Sequence, residues 1–139
     1  MADQDNIRVA REAFDAWNHH NVERQLKLLD EKHVVESDTI PQPAIGREAF
    51  CQFMQIYLVA FPDLHFALDQ ILASGDFVVT RWTATGTHRG ALMGIPPTGR
   101  STTTHGCTVY EIRNGKQIRF WTYWDTGNLL RQLGVLPGA

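Results

Sequence analysis

The hydrophobic period of this chain changes once, around Pro62. Ahead of that point apolar residues recur at spacings of three and four, and from Leu64 onward they alternate. A repeat near 3.6 puts side chains on one face of a helix, whereas a repeat of two puts them on one face of a strand. Helices therefore come first and an extended sheet second, the α+β pattern in which helices pack on one face of a sheet. Ile7, Ala10, Phe14 and Trp17 predict an amphipathic first helix, with Asp3 or Asp5 as its cap. Asn21 is placed to cap a shorter second helix in which Val22, Leu26 and Leu29 share a face, and Lys32 to Ser37 reads as a strand. Beyond the breakers Pro41, Pro43 and Gly46, a strongly apolar helix runs from Arg47 to about Phe61, carrying Phe50, Phe53, Met54, Tyr57 and Leu58. Pro62 ends it, because proline lacks the amide hydrogen a helix needs.

Strands are expected at 65–72, 76–86, 101–112 and 116–124. Ser74-Gly75-Asp76 and Asn114-Gly115 predict tight hairpins, since Gly and Asn tolerate the positive φ of such turns, so antiparallel pairing is expected. The long connection from Thr87 to Arg100 holds Gly90, Gly94, Pro96, Pro97 and Gly99, and is expected to rim a pocket. A last short helix, Leu129 to Leu133, stops at Gly134, with Pro137 beyond. A strongly curved antiparallel sheet with helices on its concave face would enclose a cone that few side chains can fill.

At 139 residues the chain suits one domain, 1–139, and one site. Its 13 basic and 15 acidic side chains are dispersed without a basic stripe, so nucleic acid is not an expected partner. Cys51 and Cys107 are too few and too distant for a disulfide framework or a zinc site, which fits a reducing cytoplasm. The first residues lack the apolar region of a secretion signal, and no run approaches the roughly 18 apolar residues of a membrane span. Cytoplasmic location without membrane contact is expected.

Three stretches carry a resemblance: Phe61-Pro62-Asp63-Leu64; Arg81-Trp82-Thr83-Ala84-Thr85-Gly86-Thr87-His88-Arg89-Gly90 continuing to Gly94-Ile95-Pro96-Pro97-Thr98-Gly99-Arg100; and Asn114-Gly115-Lys116 through Trp121 and Asp125 to Gln132-Leu133-Gly134. The chain resembles the SnoaL-like polyketide ester cyclases of the nuclear transport factor 2-like superfamily, from its first helix to the terminal Gln-Leu-Gly. The resemblance implies the cone-shaped fold, a homodimer through the outer face of the sheet, and intramolecular aldol closure of a polyketide ester without metal or cofactor. It also implies a base of matched pKa in a dry cavity. Family members place an Asp on the last strand and a His on the preceding one, and an ungapped carry-over puts those positions at Thr122 and Thr108. Neither threonine can act as the base.

Other residues are then candidates for the acid/base work. Asp125 ends the last strand, where it either serves as acid or base among aromatic rings or caps the final helix. His105, with an ordinary pKa of about 6.5, suits a base, but if Thr108 faces the pocket, alternation turns His105 to the outer or dimer face. His88 either reaches a ligand or supports the loop, and Glu36 with Asp38 form either a carboxylate pair at the mouth or a solvated pair. Trp82, Phe120, Trp124, Tyr57, Phe53 and Met54 are the expected lining, with Thr108 and Thr122 as its polar groups; core packing is the alternative for each apolar one. Four tryptophans in so small a chain suit a planar apolar or aromatic ligand. Arg81 and Val109 are read as outer-face residues, and Cys107 as a small buried hydrophobe. A non-catalytic binding protein and an isomerase, hydratase or hydroxylase on the same scaffold are the alternatives to a cyclase.

Overall fold

A computed structural model describes residues 2–136, so Pro137 lies outside the described residues. The chain forms α1 (Ala2–Asn18), α2 (Val22–Leu26), β1 (Leu29–Ser37), a two-residue β2 (Ala44–Ile45) and α3 (Arg47–Ala60). It then forms β3 (His65–Ser74), β4 (Phe77–Thr87), β5 (Ser101–Arg113), β6 (Lys116–Trp124) and α4 (Thr126–Gln132). The change of period at Pro62 is thus the boundary between α3 and the meander β3 to β6.

Local chemistry accounts for most boundaries. Asp3 and Asp5 stand in the first turn of α1 and not ahead of it, where their charge still favours the positive end of the helix dipole. Asn21 caps α2 by accepting the Arg24 amide hydrogen at 3.0 Å. Leu29 belongs to β1 and not to α2, because the Gln117 amide donates to the Leu28 carbonyl at 2.7 Å and draws the chain into the sheet. Asn114 and Gly115 carry φ of 52° and 75°, the pair of left-handed residues that a two-residue hairpin turn requires.

The six strands lie in the order β2-β1-β6-β5-β4-β3 in a curved, unclosed sheet. The meander is antiparallel throughout, but β1 runs parallel to β6, so the sheet is mixed and the all-antiparallel expectation is corrected. Hairpin residues specify direction only between consecutive strands. β1 reaches β6 through α3 and the entire meander, so no turn encodes their pairing. Register shifts interrupt β3 between Leu68 and Gln70 and the β5/β6 pair between Glu111 and Ile112, and such bulges bend and twist a sheet.

The two longer helices cover the concave face. α1 packs toward β3, with Phe14 and Trp17 edge-on to Phe66, while α3 packs toward β1 and β2. Leu29, Val35, Phe50, Met54, Val78 and Ile112 are fully buried, and each large apolar side chain removed from water contributes about 1.5–3 kcal/mol. Between the helices and the bent sheet a space remains. That space is the cavity.

Candidate functional site

Alternation on β4, β5 and β6 decides what faces this space. Trp82, Ala84 and Gly86 of β4, Thr102, Thr104, Thr108 and Tyr110 of β5, and Phe120, Thr122 and Trp124 of β6 line a cavity of about 760 Å³, its mouth included. Thr85 of β4, Phe14 and Trp17 of α1, Phe53 and Tyr57 of α3, Phe61, Leu64, Phe66 and Leu129 complete the wall. Eight aromatic rings form an unbroken belt of neighbours, in the order Trp124, Tyr57, Phe53, Phe120, Tyr110, Phe14, Phe66 and Trp82, with centroids 5.1–6.4 Å apart. Most of these contacts are edge-to-face, the arrangement aromatic quadrupoles prefer. Trp82 requires its neighbour to be glycine: a Cβ on Gly106 would lie 2.3 Å from the indole ring.

The polar groups at the centre of the wall are hydroxyls and the Trp82 indole N–H; Trp17 and Trp124 also bring indoles to the lining. Trp82 Nε1 donates to Thr108 Oγ1 at 2.9 Å, and Thr108 Oγ1 and Thr122 Oγ1 share a hydrogen bond of 2.9 Å. Thr80 donates to the Thr108 carbonyl at 2.9 Å and so holds that segment of β5 in place. Thr108 and Thr122 are directly paired across β5 and β6. They thus stand side by side in the wall, where the resemblance expects a His and an Asp. Tyr57 OH lies 3.2 Å from Thr39 Oγ1, which is bonded to Ser37 Oγ. Burial raises the Tyr57 phenol above its ordinary pKa, with the Thr39 hydrogen bond opposing, and burial alone raises Tyr110. Both phenols are neutral at physiological pH. Among the described residues no carboxylate, imidazole, ammonium or guanidinium group lines the cavity.

The structure brings together Trp82, Thr108, Phe120, Thr122, Trp124, Tyr57 and Phe53, and leaves the other candidates outside. Asp125 is exposed, and its Oδ1 accepts the Asn128 amide hydrogen at 2.9 Å as the cap of α4. Trp124 uses the inward position, so the next residue leaves the strand. His105 lies on the outer face opposite Thr83, whose hydroxyl donates to Asp69 and sits 3.0 Å from His105 Nδ1. Glu36 is turned outward because Val35 faces the core, and it pairs with Arg119 at 3.4 Å; Asp38 is exposed past the strand end. Met54 is fully buried beneath the wall without reaching the cavity.

His88 is also fully buried but does not line the cavity, because its Nδ1 accepts the Thr98 amide hydrogen at 3.2 Å and lies 3.0 Å from the Thr98 hydroxyl. The connection from Thr87 to Arg100 does not rim the cavity either. It extends the β4/β5 hairpin, with His88 N–H bonded to Arg100 O, and folds onto the end of α3, where Arg89 and Gly90 both donate to Ala60 O. A Cβ on Gly90 would meet the Val59 carbonyl at 2.3 Å, so only glycine permits this approach. Cys107 is half-exposed on the outer face beside Arg81 and Tyr123, not buried, since its neighbours Gly106 and Thr108 hold the inward side.

Phe14, Trp17, Phe66, Tyr110, Thr102 and Thr104 are lining residues missing from the sequence expectation. Alternation from Thr108 along β5 reaches Thr102, Thr104 and Tyr110, so that signal was present. Phe14 and Trp17 share the apolar stripe of α1, but no local feature separates a stripe facing a cavity from one facing solid core. No group of three or more His, Cys, Asp or Glu side chains converges among the described residues, and no described helix is long and apolar enough to cross a membrane.

The sequence pattern of the SnoaL-like polyketide cyclases matches residues 7–133. No protein of curated function matches the chain. Among solved structures, AclR of Streptomyces galilaeus, a proposed hydroxylase, is 28% identical with a TM-score of 0.87, over 99% of this chain and 89% of that one. IdmH of Streptomyces antibioticus, a proposed polyketide cyclase, is 28% identical with a TM-score of 0.81, over 94% of this chain and 99% of that one. A proposed SnoaL-like polyketide cyclase from a Jannaschia species superposes with a TM-score of 0.89 at 19% identity, over 97% of this chain and 95% of that one, a likeness of fold.

Proposed function

The chain belongs to the SnoaL-like polyketide cyclase family, and from that premise we propose that it is a cyclase-type enzyme closing a ring in a planar, mostly apolar carbonyl compound. The observation that carries this reading is the aromatic belt: flat rings line a concave and mostly apolar cavity with a few convergent polar groups, the character of a small-molecule site. Its chemistry is written with neutral groups. Ring closure of the aldol type removes a proton alpha to one carbonyl, and the resulting enolate carbon attacks a second carbonyl. A wall of hydroxyls and indole offers hydrogen bonds to the developing oxyanions, while exclusion of water strengthens each such bond. Asp125, His105 and Glu36 do not reach the wall, so the proton passes to a basic group of the substrate or to solvent at the mouth, and the alkoxide formed at the attacked carbonyl takes a proton back from the same source.

The test uses a tricyclic anthraquinone carrying an ester arm and a ketone able to close a fourth ring, followed by mass-resolved chromatography. The expected product has the mass of the substrate, or that mass less one water. A product heavier by one oxygen would instead favour hydroxylation, the reading suggested by likeness to AclR. Stabilisation of the protein by the compound without turnover would make the chain a binding protein. The proposal extends to a homodimer: Phe77, Val79 and Tyr123 are exposed on the outer face of β4 and β6, and a second copy packed there would cover them. Light scattering should report twice the mass of one chain, and a monomer would remove this part of the reading.

A further inference from the structure

The three polar groups at the centre of the wall do not balance. Trp82 N–H, Thr108 O–H and Thr122 O–H supply three hydrogens, and the two hydrogen bonds that join them use two. Whichever way the two hydroxyls are turned, one O–H remains without a protein acceptor among the described residues. Trp82 biases what is left toward donation. The indole N–H is a donor only, and it occupies a lone pair of Thr108. One hydrogen and two lone pairs remain free, and the hydrogen is the costly one to leave unpaired. An unused hydroxyl lone pair costs little, whereas a donor left unpaired in an apolar wall costs more.

We propose that Thr108 and Thr122, held by Trp82, form the docking point for a carbonyl oxygen of the ligand, and that this pair selects ligands presenting an acceptor over hydrocarbons of the same shape. The inference rests on the reading of the cavity as a site for planar carbonyl compounds and adds where the carbonyl sits and what holds it. It assigns the positions that resemblance gives to a base and its partner a different task. The hydroxyl pair polarises a carbonyl and stands beside the oxygen on which enolate charge would develop. Both threonines are nearly buried and paired strand to strand, so the donor is aimed before a ligand arrives.

The experiment compares 9-fluorenone with fluorene, two tricyclic probes that differ by the carbonyl oxygen. Binding is followed by quenching of tryptophan fluorescence, and the ketone stretch of bound fluorenone by infrared difference spectroscopy. Fluorenone is expected to bind about 3- to 10-fold more tightly than fluorene, the ratio that one neutral hydrogen bond supplies, with its stretch moved to lower frequency. W82F/T108V/T122V, which also removes the indole donor that loss of Thr108 would free, should bind both probes alike and leave the stretch unshifted, while T108S/T122S should keep the preference and the shift. Equal binding of the two probes by the unaltered protein, or a preference and shift that persist in W82F/T108V/T122V, would overturn the docking point and leave the cavity reading standing. Failure of both probes to bind would remove the cavity reading and this proposal with it. If W82F/T108V/T122V does not fold, the affinity ratio and the infrared shift of the unaltered protein decide.

Discussion

The two faces of one sheet differ more in chemistry than any two elements of this protein. Along β4, β5 and β6 the inward residues are Trp82, Thr108, Tyr110, Phe120 and Thr122, all uncharged. Their immediate neighbours on the outer side include Arg81, Cys107, Glu111, Arg119 and Tyr123, and Glu36 of the adjoining β1 also faces outward. A period of two separates these sets, so neighbours in sequence face different surroundings, except at the end of β4, where Ala84, Thr85 and Gly86 all reach the cavity. Every ionisable candidate for acid/base work on β1 and β5 falls on the wet face. The lesson is that a cavity wall inherits its chemistry from strand parity, and titratable residues nearby in sequence say little about it.

The sharpest way to break this contrast is to truncate adjacent residues on opposite faces. Trp82→Ala removes a ring of the aromatic belt and leaves Thr108 without its indole donor. It should cost about 3–5 kcal/mol in urea denaturation, as large-to-small changes of buried aromatic residues do. Arg81→Ala, whose guanidinium bonds Gln70 in the open, should stay within about 0.5 kcal/mol. A comparable loss for Arg81→Ala would show that the outer face is covered in solution.

A smaller effect concerns a buried imidazole on β1. His33 is fully buried between Phe50 and Phe120, and burial lowers its pKa to about 4 against an ordinary 6.5, the charge of Asp30 opposing. The folded protein therefore binds fewer protons than the unfolded chain between those values. Its stability is complete above pH 6.5 and falls as pH drops toward 4, by about 3 kcal/mol in all. Urea midpoints across that range should follow this slope, and His33→Phe should remove this contribution to it. A midpoint indifferent to pH in the unaltered protein would contradict a neutral buried imidazole.

The smallest effect sharpens the assignment of Asp125. Asp125→Ala loses the cap of α4 and should cost about 1 kcal/mol, whereas Asp125→Asn keeps a capping oxygen and should preserve both stability and turnover. Loss of turnover in Asp125→Asn with stability unchanged would return Asp125 to the chemistry.

Much of this was legible because its causes are local. Asn21 and Asp125 are caps by virtue of short polar side chains, and Asn114-Gly115 is a turn because two consecutive left-handed residues are cheap there. Parity alone turned His105 away once Thr108 faced inward. Parity has its own limit at bulges: Asp69 is an extra residue opposite Trp82 and Arg81, and simple counting along β3 would reverse every side chain beyond it.

The sequence by itself determined where the helices and the five longer strands lie to within a few residues, which turns join the meander, and which β5 residues share a face, because these follow from contacts within a few positions. Only the tertiary structure decided that β1 joins β6 in parallel, that Met54 fills core while Phe53 and Tyr57 face open space, and that the Gly- and Pro-rich connection folds onto α3. It also decided that Thr108, Thr122 and Trp82 meet in a single hydrogen-bonded group. Each of these depends on groups far apart in the chain arriving at one place, and the free energy that brings them there, burial of apolar surface, carries no direction that a local pattern could record.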